Sequence, residues 1–75
     1  MEMSQEKMNE VFQRIVQGLQ TNAERDVRLA RAAGDAAATA RDQARLDTLN
    51  AALEIYAAAH LMAHGARPWP RPGQP

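Results

Sequence analysis

Residues 31–40 of the chain read RAAGDAAATA, and this stretch decides the fold, because one glycine and one aspartate interrupt a long run of helix-forming residues. Gly34 is able to adopt the left-handed backbone conformation that ends a helix. Asp35 is then placed to cap the next helix with its side chain. The stretch predicts a turn at Gly34 that joins two helices, at about residues 4–33 and 35–64.

Outward from the turn, both halves of the chain show the periodicity of amphipathic helices. The stripe before the turn consists of Met8, Phe12, Ile15 and Leu19. The stripe after it consists of Leu46, Leu49, Leu53, Tyr56, His60 and Ala63, and Gly65 ends that helix. Ser4 is expected to cap the first helix, and a capping box at Thr21 and Glu24 leaves open an alternative break near Thr21.

Antiparallel packing of the two helices pairs residues that lie equally far from Gly34. Large residues then meet at the far end: Met8 with His60, Phe12 with Tyr56, Ile15 with Leu53, and Leu19 with Leu49. Nearer the turn the matching residues are displaced by one position: Ala23 with Ala44, Val27 with Ala40, and Ala30 with Ala37. The pattern predicts an all-α antiparallel helical hairpin over residues 1–65, with a slip of register near the turn.

A second apolar flank runs beside these stripes and consists of Val11, Val16, Ala52, Ile55, Ala59 and Met62. Two helices cannot bury both flanks. A homodimeric four-helix bundle with two-fold symmetry would bury them, and its predicted dimer core is Phe12, Ile15, Leu19, Leu49, Leu53 and Tyr56. The alternative is a hairpin that completes its core on another protein.

Size and composition narrow the class of protein. The chain has 75 residues, no cysteine and a formal net charge of zero. Disulfides and thiolate metal sites are therefore excluded, and a core this small favours stabilisation by a second copy. The polar, acidic start MEMSQEKMNE is unlike a signal peptide, and the longest apolar run, which Glu54 interrupts, is too short to cross a bilayer. We expect a cytoplasmic protein without a membrane partner.

Titratable side chains offer little for catalysis. His60 and His64 lie one helical turn apart, as metal-binding histidines often do, but the sequence suggests no third ligand. Asp26 and Asp42 could face each other across the hairpin, but they stand among arginines, and the chain shows neither a nucleophile nor a phosphate-binding loop. We expect no enzyme activity, no catalytic residue, no metal site and no cofactor.

Arginines gather in the half of the hairpin near the turn: Arg25, Arg28, Arg31, Arg41 and Arg45. They could form a surface for RNA or DNA phosphates. Five acidic residues lie in the same region, and the spacings of Glu24 with Arg28 and of Arg31 with Asp35 suit local ion pairs. A neutral, solvated face is the favoured interpretation, and nucleic-acid binding is the alternative.

The chain ends in ARPWPRPGQP, residues 66–75, after a stretch with no proline. Pro68 and Pro70 flank Trp69 and favour an extended, polyproline-like tail. Trp69, with Arg67 and Arg71 beside it, has the composition of an interface anchor. Three interpretations stay open: the tail anchors a partner, is disordered, or folds back over the open end of the hairpin, where Trp69 would cover Met8, Phe12 and Tyr56.

The sequence as a whole favours a small protein that binds itself and another protein. The leading hypothesis is a non-enzymatic regulator, inhibitor or adaptor that acts sterically through a helical surface and the Trp69 tail. The alternatives are an arginine-rich hairpin dimer that binds RNA or DNA, and a structural component of a larger assembly.

Overall fold

The computed structural model describes residues 2–70, with side chains described from Gln5 onward. These residues form two helices, α1 (Glu2–Ala32) and α2 (Ala36–His64), and the two helices pack against each other. No strand occurs within residues 2–70. The all-α helical hairpin predicted from the sequence is confirmed. We call the end at the turn the closed end, and the end where α1 begins and α2 finishes the open end.

The turn between the helices is short because Asp35 takes part both in ending α1 and in starting α2. Gly34 has φ +70°, and its amide donates to the Arg31 carbonyl, while the Asp35 amide donates to the Ala30 carbonyl. These two hydrogen bonds form a Schellman motif that satisfies the last carbonyls of α1. The Asp35 carboxylate then accepts from the Ala38 amide at 3.0 Å and caps α2. The roles predicted for Gly34 and Asp35 are confirmed.

Helix α1 runs without interruption past its weakest positions. It begins at Glu2, so Ser4 lies inside the helix rather than before it. The alternative break near Thr21 is wrong, because Gly18 and Thr21 are both helical and the Thr21 hydroxyl donates to the Gln17 carbonyl at 3.0 Å. Helix-forming neighbours such as Gln17, Leu19 and Gln20 offset the cost of about 1 kcal/mol that one internal glycine carries.

The seam between the helices is built mostly from small residues. On α1 the buried side chains recur at steps of three, four and seven, and they are Asn9, Val16, Ala23, Val27 and Ala30. On α2 the buried residues are Asp42 and Ala57, with Leu46, Leu49, Leu53, Tyr56 and His60 half-buried. No large side chain within the described residues is completely buried. The hairpin alone therefore has a thin core.

The predicted register differs from the observed one on α1. Met8, Ile15 and Leu19 are 61%, 58% and 48% exposed, and His60, the predicted partner of Met8, forms a hydrogen bond with Asn9. Near the turn Ala23, Val27 and Ala30 are buried as expected, but their predicted partners are exposed: Ala37, Ala40 and Ala44. The predicted pair of Phe12 with Tyr56 is observed, since the two rings stack.

Candidate interaction surfaces

All three aromatic residues of the chain lie in one cluster at the open end. The Phe12 and Tyr56 rings stack with centroids 4.5 Å apart and planes 19° apart. Tyr56 also stacks on Trp69 at 5.6 Å and 9°. Stacked aromatic pairs contribute about 0.5–1.5 kcal/mol beyond the area they bury. The cluster therefore joins α1, α2 and the residues after α2.

Asn9 is the polar centre of this end of the hairpin. Its side-chain oxygen accepts hydrogen bonds from the Tyr56 hydroxyl and from Gln5 Nε2, the latter at 3.2 Å. Its amide nitrogen lies 3.1 Å from His60 Nε2. His60 Nδ1 lies 2.7 Å from the Ala66 carbonyl oxygen, which can only accept, so Nδ1 carries the proton and Nε2 accepts from Asn9. The network links both helices to the chain beyond them.

The chain reverses at Gly65 and returns along the open end. Gly65 has φ +75°, and its amide donates to the Leu61 carbonyl at 2.8 Å, which closes α2. This reversal brings Ala66 to His60 and Trp69 to Tyr56. Among the three interpretations of the tail, residues 66–70 follow the fold-back. Met8, which the fold-back was expected to cover, remains exposed.

A cleft of about 510 Å³ lies between α1 and the returning chain. Its helical wall and floor are formed by Gln5, Glu6, Asn9, Glu10, Gln13 and His60. The opposite wall consists of Arg67, Pro68, Trp69 and Pro70. The Arg67 Nε atom is buried there and has no hydrogen-bond partner among residues 5–70.

Near the closed end, carboxylates hold the arginines in ion pairs. Arg45 donates to Asp26 at 2.5 Å, and Arg25 approaches the other oxygen of the same carboxylate at 3.4 Å. The hydrogen bond from Arg45, together with the charge of Arg25, lowers the pKa of Asp26. Arg41 pairs with the buried Asp42 at 3.1 Å, which raises the pKa of Arg41. Asp26 and Asp42 line one depression together with Arg41 and Arg45.

The five arginines predicted as a phosphate-binding surface are thus mostly engaged. Arg25, Arg41 and Arg45 contact carboxylates. Arg28 and Arg31 form no ion pair within residues 5–70, so the pairs suggested for them with Glu24 and Asp35 are absent from that part of the chain.

The two histidines lie side by side, with ring centroids 4.6 Å apart. Both ring nitrogens of His60 are already engaged, by Asn9 and by the Ala66 carbonyl. Within the described residues no third potential ligand joins the pair.

Two apolar surfaces remain exposed on the helices. The exposed α1 stripe consists of Met8, Ile15 and Leu19, which are spaced by seven and four residues and so share one side of α1. The outer face of α2 carries Ile55 and Met62, which are 69% and 87% exposed. The exposed alanines Ala44, Ala51 and Ala58 continue that face along the helix. Helix α2 is consequently apolar on the side away from α1 as well as in the seam.

The predicted dimer-core residues divide between these environments. Ile15 and Leu19 lie on the exposed α1 stripe, whereas Phe12 and Tyr56 stack within the hairpin and Leu49 and Leu53 are half-buried. Of the predicted partner-binding residues, Trp69 and Arg67 line the open-end cleft, and Arg71 lies outside the described residues.

The sequence reasoning missed Asn9 and the carboxylates Glu6 and Glu10. The signal for Asn9 was available, since Asn9, Val16, Ala23 and Ala30 recur at intervals of seven. Glu6 and Glu10 line the cleft only because of where the chain returns after Gly65, and periodicity does not encode that path.

Comparison with known proteins found no similar family, protein or structure. No family model matches the chain, and no curated protein or solved structure is similar enough to count as a match. Neither of the described helices combines the length and apolarity that crossing a bilayer requires.

Proposed function

We propose that the chain is a small non-enzymatic regulator, inhibitor or adaptor of the cytoplasm, which acts sterically by covering or bridging a site on another protein. The observation that carries the proposal is the unpartnered apolar surface of the two helices, above all Ile55 and Met62. A contiguous apolar patch that stays exposed on a folded protein usually marks an interaction site. The hairpin buries only one side of α2, so the other side favours a protein partner.

A homodimer is the first part of this proposal. The exposed α1 stripe with Ile15 and Leu19 would pack against the same stripe of a second copy, which would complete an antiparallel four-helix bundle. In that bundle Phe12, Leu49, Leu53 and Tyr56, which are half-buried in the hairpin, would become more deeply buried. The thin core of the single hairpin supports this arrangement.

Light scattering or sedimentation equilibrium tests the dimer. The wild-type chain should have twice the 8.3 kDa mass of one chain. Ile15→Lys should give a folded monomer, because a lysine on the contact surface would be buried without a partner. Gln17→Lys, at an exposed position two residues away, is the matched control and should remain dimeric. A monomeric wild type, or equal masses for both variants, contradicts this part of the proposal.

Contact with another protein is the second part. The outer face of α2 would supply the helical surface, and Trp69, Arg67 and Arg71 would supply an additional anchor, since tryptophan and arginine are enriched among residues that dominate binding. Trp69 is half-buried against Tyr56, so its use by a partner would compete with or build on that contact.

A pull-down from lysate of the source cell tests the second part. The wild type would be compared with Met62→Lys, Trp69→Ala and the Gln17→Lys control, each first shown to be folded. A partner that is retained by the control but lost with Met62→Lys assigns recognition to the outer face of α2. Loss with Trp69→Ala alone assigns it to the tail. Retention by every variant contradicts the proposed surfaces.

Nucleic-acid binding is kept as a second candidate because Arg28 and Arg31 carry charge that no carboxylate pairs within residues 5–70. Phosphate contacts release counterions, so such binding would weaken steeply with added salt. An apolar protein contact would not. Binding of RNA or DNA that falls at least tenfold between 50 and 200 mM salt, on the order expected for several phosphate contacts, would favour this candidate.

A further inference from the structure

Residues 66–70, which we call the returning segment, are attached to the open end of the hairpin by few specific contacts. The Trp69 ring stacks on Tyr56 with centroids 5.6 Å apart. His60 Nδ1–H donates to the Ala66 carbonyl at 2.7 Å. Within the part of the chain whose side chains are described, no other hydrogen bond joins the returning segment to a helix. One ring stack and one hydrogen bond therefore hold most of the segment in place.

Docking of the returning segment also carries a cost. The Arg67 Nε–H is buried and has no acceptor among the residues with described side chains. In solvent the same group would donate to water, so its burial offsets a stabilisation comparable to that of one hydrogen bond. Pro68 and Pro70 supply no compensating donor, because proline has no amide hydrogen. The balance between the docked segment and a released one is consequently narrow.

Gly65 allows the segment to leave without disturbing the helices. The Gly65 amide donates to the Leu61 carbonyl and completes α2, so the end of the helix does not depend on the residues that follow. Gly65 has φ +75°, and glycine populates positive and negative φ about equally. Rotation at this one residue carries Trp69 away from Tyr56 while α2 remains intact.

We propose that the returning segment is a latch that alternates between a docked and a released state, and that a protein partner binds Trp69 in the released state. In the docked state Trp69 and Tyr56 cover each other, and release makes both rings available. The affinity of the partner is then reduced in proportion to the fraction of chains that are released. The inference rests on the proposed use of Trp69 as an anchor and adds regulation to it.

Urea titration of the full-length chain tests the latch without a partner, so its failure is distinguishable from failure of the proposed function. Emission from Trp69, the single tryptophan, reports release, and circular dichroism reports the loss of the helices. In the wild type the emission should become that of solvent-exposed tryptophan at a lower urea concentration than the helices unfold. The Ile15→Lys chain should show the same separation, which excludes dissociation of a dimer as its cause.

Two pairs of variants assign release to the named contacts. Arg67→Met removes the unsatisfied donor and should raise the ratio of docked to released chains about fivefold or more, which moves the emission change toward helix unfolding. Arg28→Met, at an exposed position of α1, is the control and should leave the emission change in place. Tyr56→Leu removes the ring stack and should give solvent-exposed emission without urea, whereas Tyr56→Phe keeps the stack and should retain the wild-type emission. Circular dichroism would establish that each variant is helical.

Three results would overturn the proposal. The first is an emission change of the wild type that coincides with helix unfolding. The second is an Arg67→Met chain that releases Trp69 at the wild-type urea concentration or below it, because the buried donor would then not oppose docking. The third is identical emission from Tyr56→Leu and Tyr56→Phe, which would show that the ring stack does not hold the segment.

Discussion

Asn9 shows how a single polar residue can fix the open end of the hairpin. It is buried in the seam, yet its amide group reaches Tyr56, His60 and Gln5. A buried amide is tolerated only when its hydrogen bonds are made. Other registers of α1 against α2 would leave Asn9 unsatisfied, so this residue selects the observed register.

Replacement of Asn9 by alanine should lower the free energy of unfolding by about 1–3 kcal/mol, because the Tyr56 hydroxyl and His60 Nε2 would lose their partner inside the seam. Urea denaturation followed by circular dichroism measures the change. Asn22→Ala is the control, since Asn22 is exposed on the same helix and should change the value by less than about 0.5 kcal/mol. Equal effects of the two substitutions would show that the network adds no stability.

Asp26 should make stability depend on acid. Its folded-state pKa lies below the ordinary 3.8, chiefly because Arg45 donates to it. The stabilisation is therefore fully present above about pH 3.8 and is lost as the pH falls through the lower folded-state value. Asp26→Asn should lower the melting temperature at pH 7 and reduce its decline between neutral and strongly acidic pH. Unchanged melting curves for this variant across the pH range would refute the assignment.

At the scale of the elements, the turn at Gly34 and the middle of α1 at Gly18 form a natural pair for comparison. A Cβ added at either position meets no atom within 4 Å, but only Gly34 has a positive φ, of +70°. Gly34→Ala should therefore destabilise the hairpin by about 1–2 kcal/mol through backbone strain alone. Gly18→Ala should stabilise it by about 0.5–1 kcal/mol through helix propensity.

Thermal unfolding of the two glycine variants, each against the wild type, checks both signs at once. If Gly34→Ala were neutral, the left-handed conformation would not be required for the turn. A destabilising Gly18→Ala would indicate that an additional molecule packs closely against α1 at that point.

The helices differ in how well periodicity predicted their packing. On α2 the predicted stripe from Leu46 to His60 is the one that packs in the seam, because it is the only stripe there with large residues at every turn. On α1 two stripes compete, and the larger residues Met8, Ile15 and Leu19 pointed to the wrong one. Apolar character identifies surfaces to be covered, but it does not say whether the other helix or another molecule covers them. Small residues such as Ala23 and Ala30 allow the close approach that decides the seam.

The open-end cleft was likewise predicted only in part. Composition indicated that Trp69 and Arg67 were candidate binding residues, and both lie in the wall of one cleft. Contact of Trp69 with Tyr56 was expected only in the fold-back, one of the three interpretations of the tail that the sequence left open. The return of the chain depends on the conformation of Gly65 and on the His60 hydrogen bond to Ala66, and neither leaves a periodic trace in the sequence.

At the scale of the whole molecule, the thin core suggests that the stability of the hairpin depends on association with a second copy. If the exposed α1 stripe pairs two copies, the melting temperature should rise with protein concentration, since each tenfold increase favours the dimer by about 1.4 kcal/mol. Differential scanning calorimetry over a hundredfold range of concentration measures this. The Ile15→Lys chain should melt at a lower temperature that does not depend on concentration. A concentration-independent wild type would indicate that the single hairpin is stable by itself.

The compact turn around Asp35 also affects the order in which the parts of the hairpin fold. The closed end is fastened by hydrogen bonds between residues only three to five positions apart, such as Ala38 to Asp35 and Asp35 to Ala30. The open end depends on contacts such as Tyr56 to Asn9 and Asn9 to His60, which join residues 47 and 51 positions apart. Short loops close at a smaller entropic cost than long ones. The helices should therefore pair first near Gly34 and last at the open end as the hairpin folds. Unfolding should begin at the open end, so that the cleft is the last part of the molecule to form and the first to open.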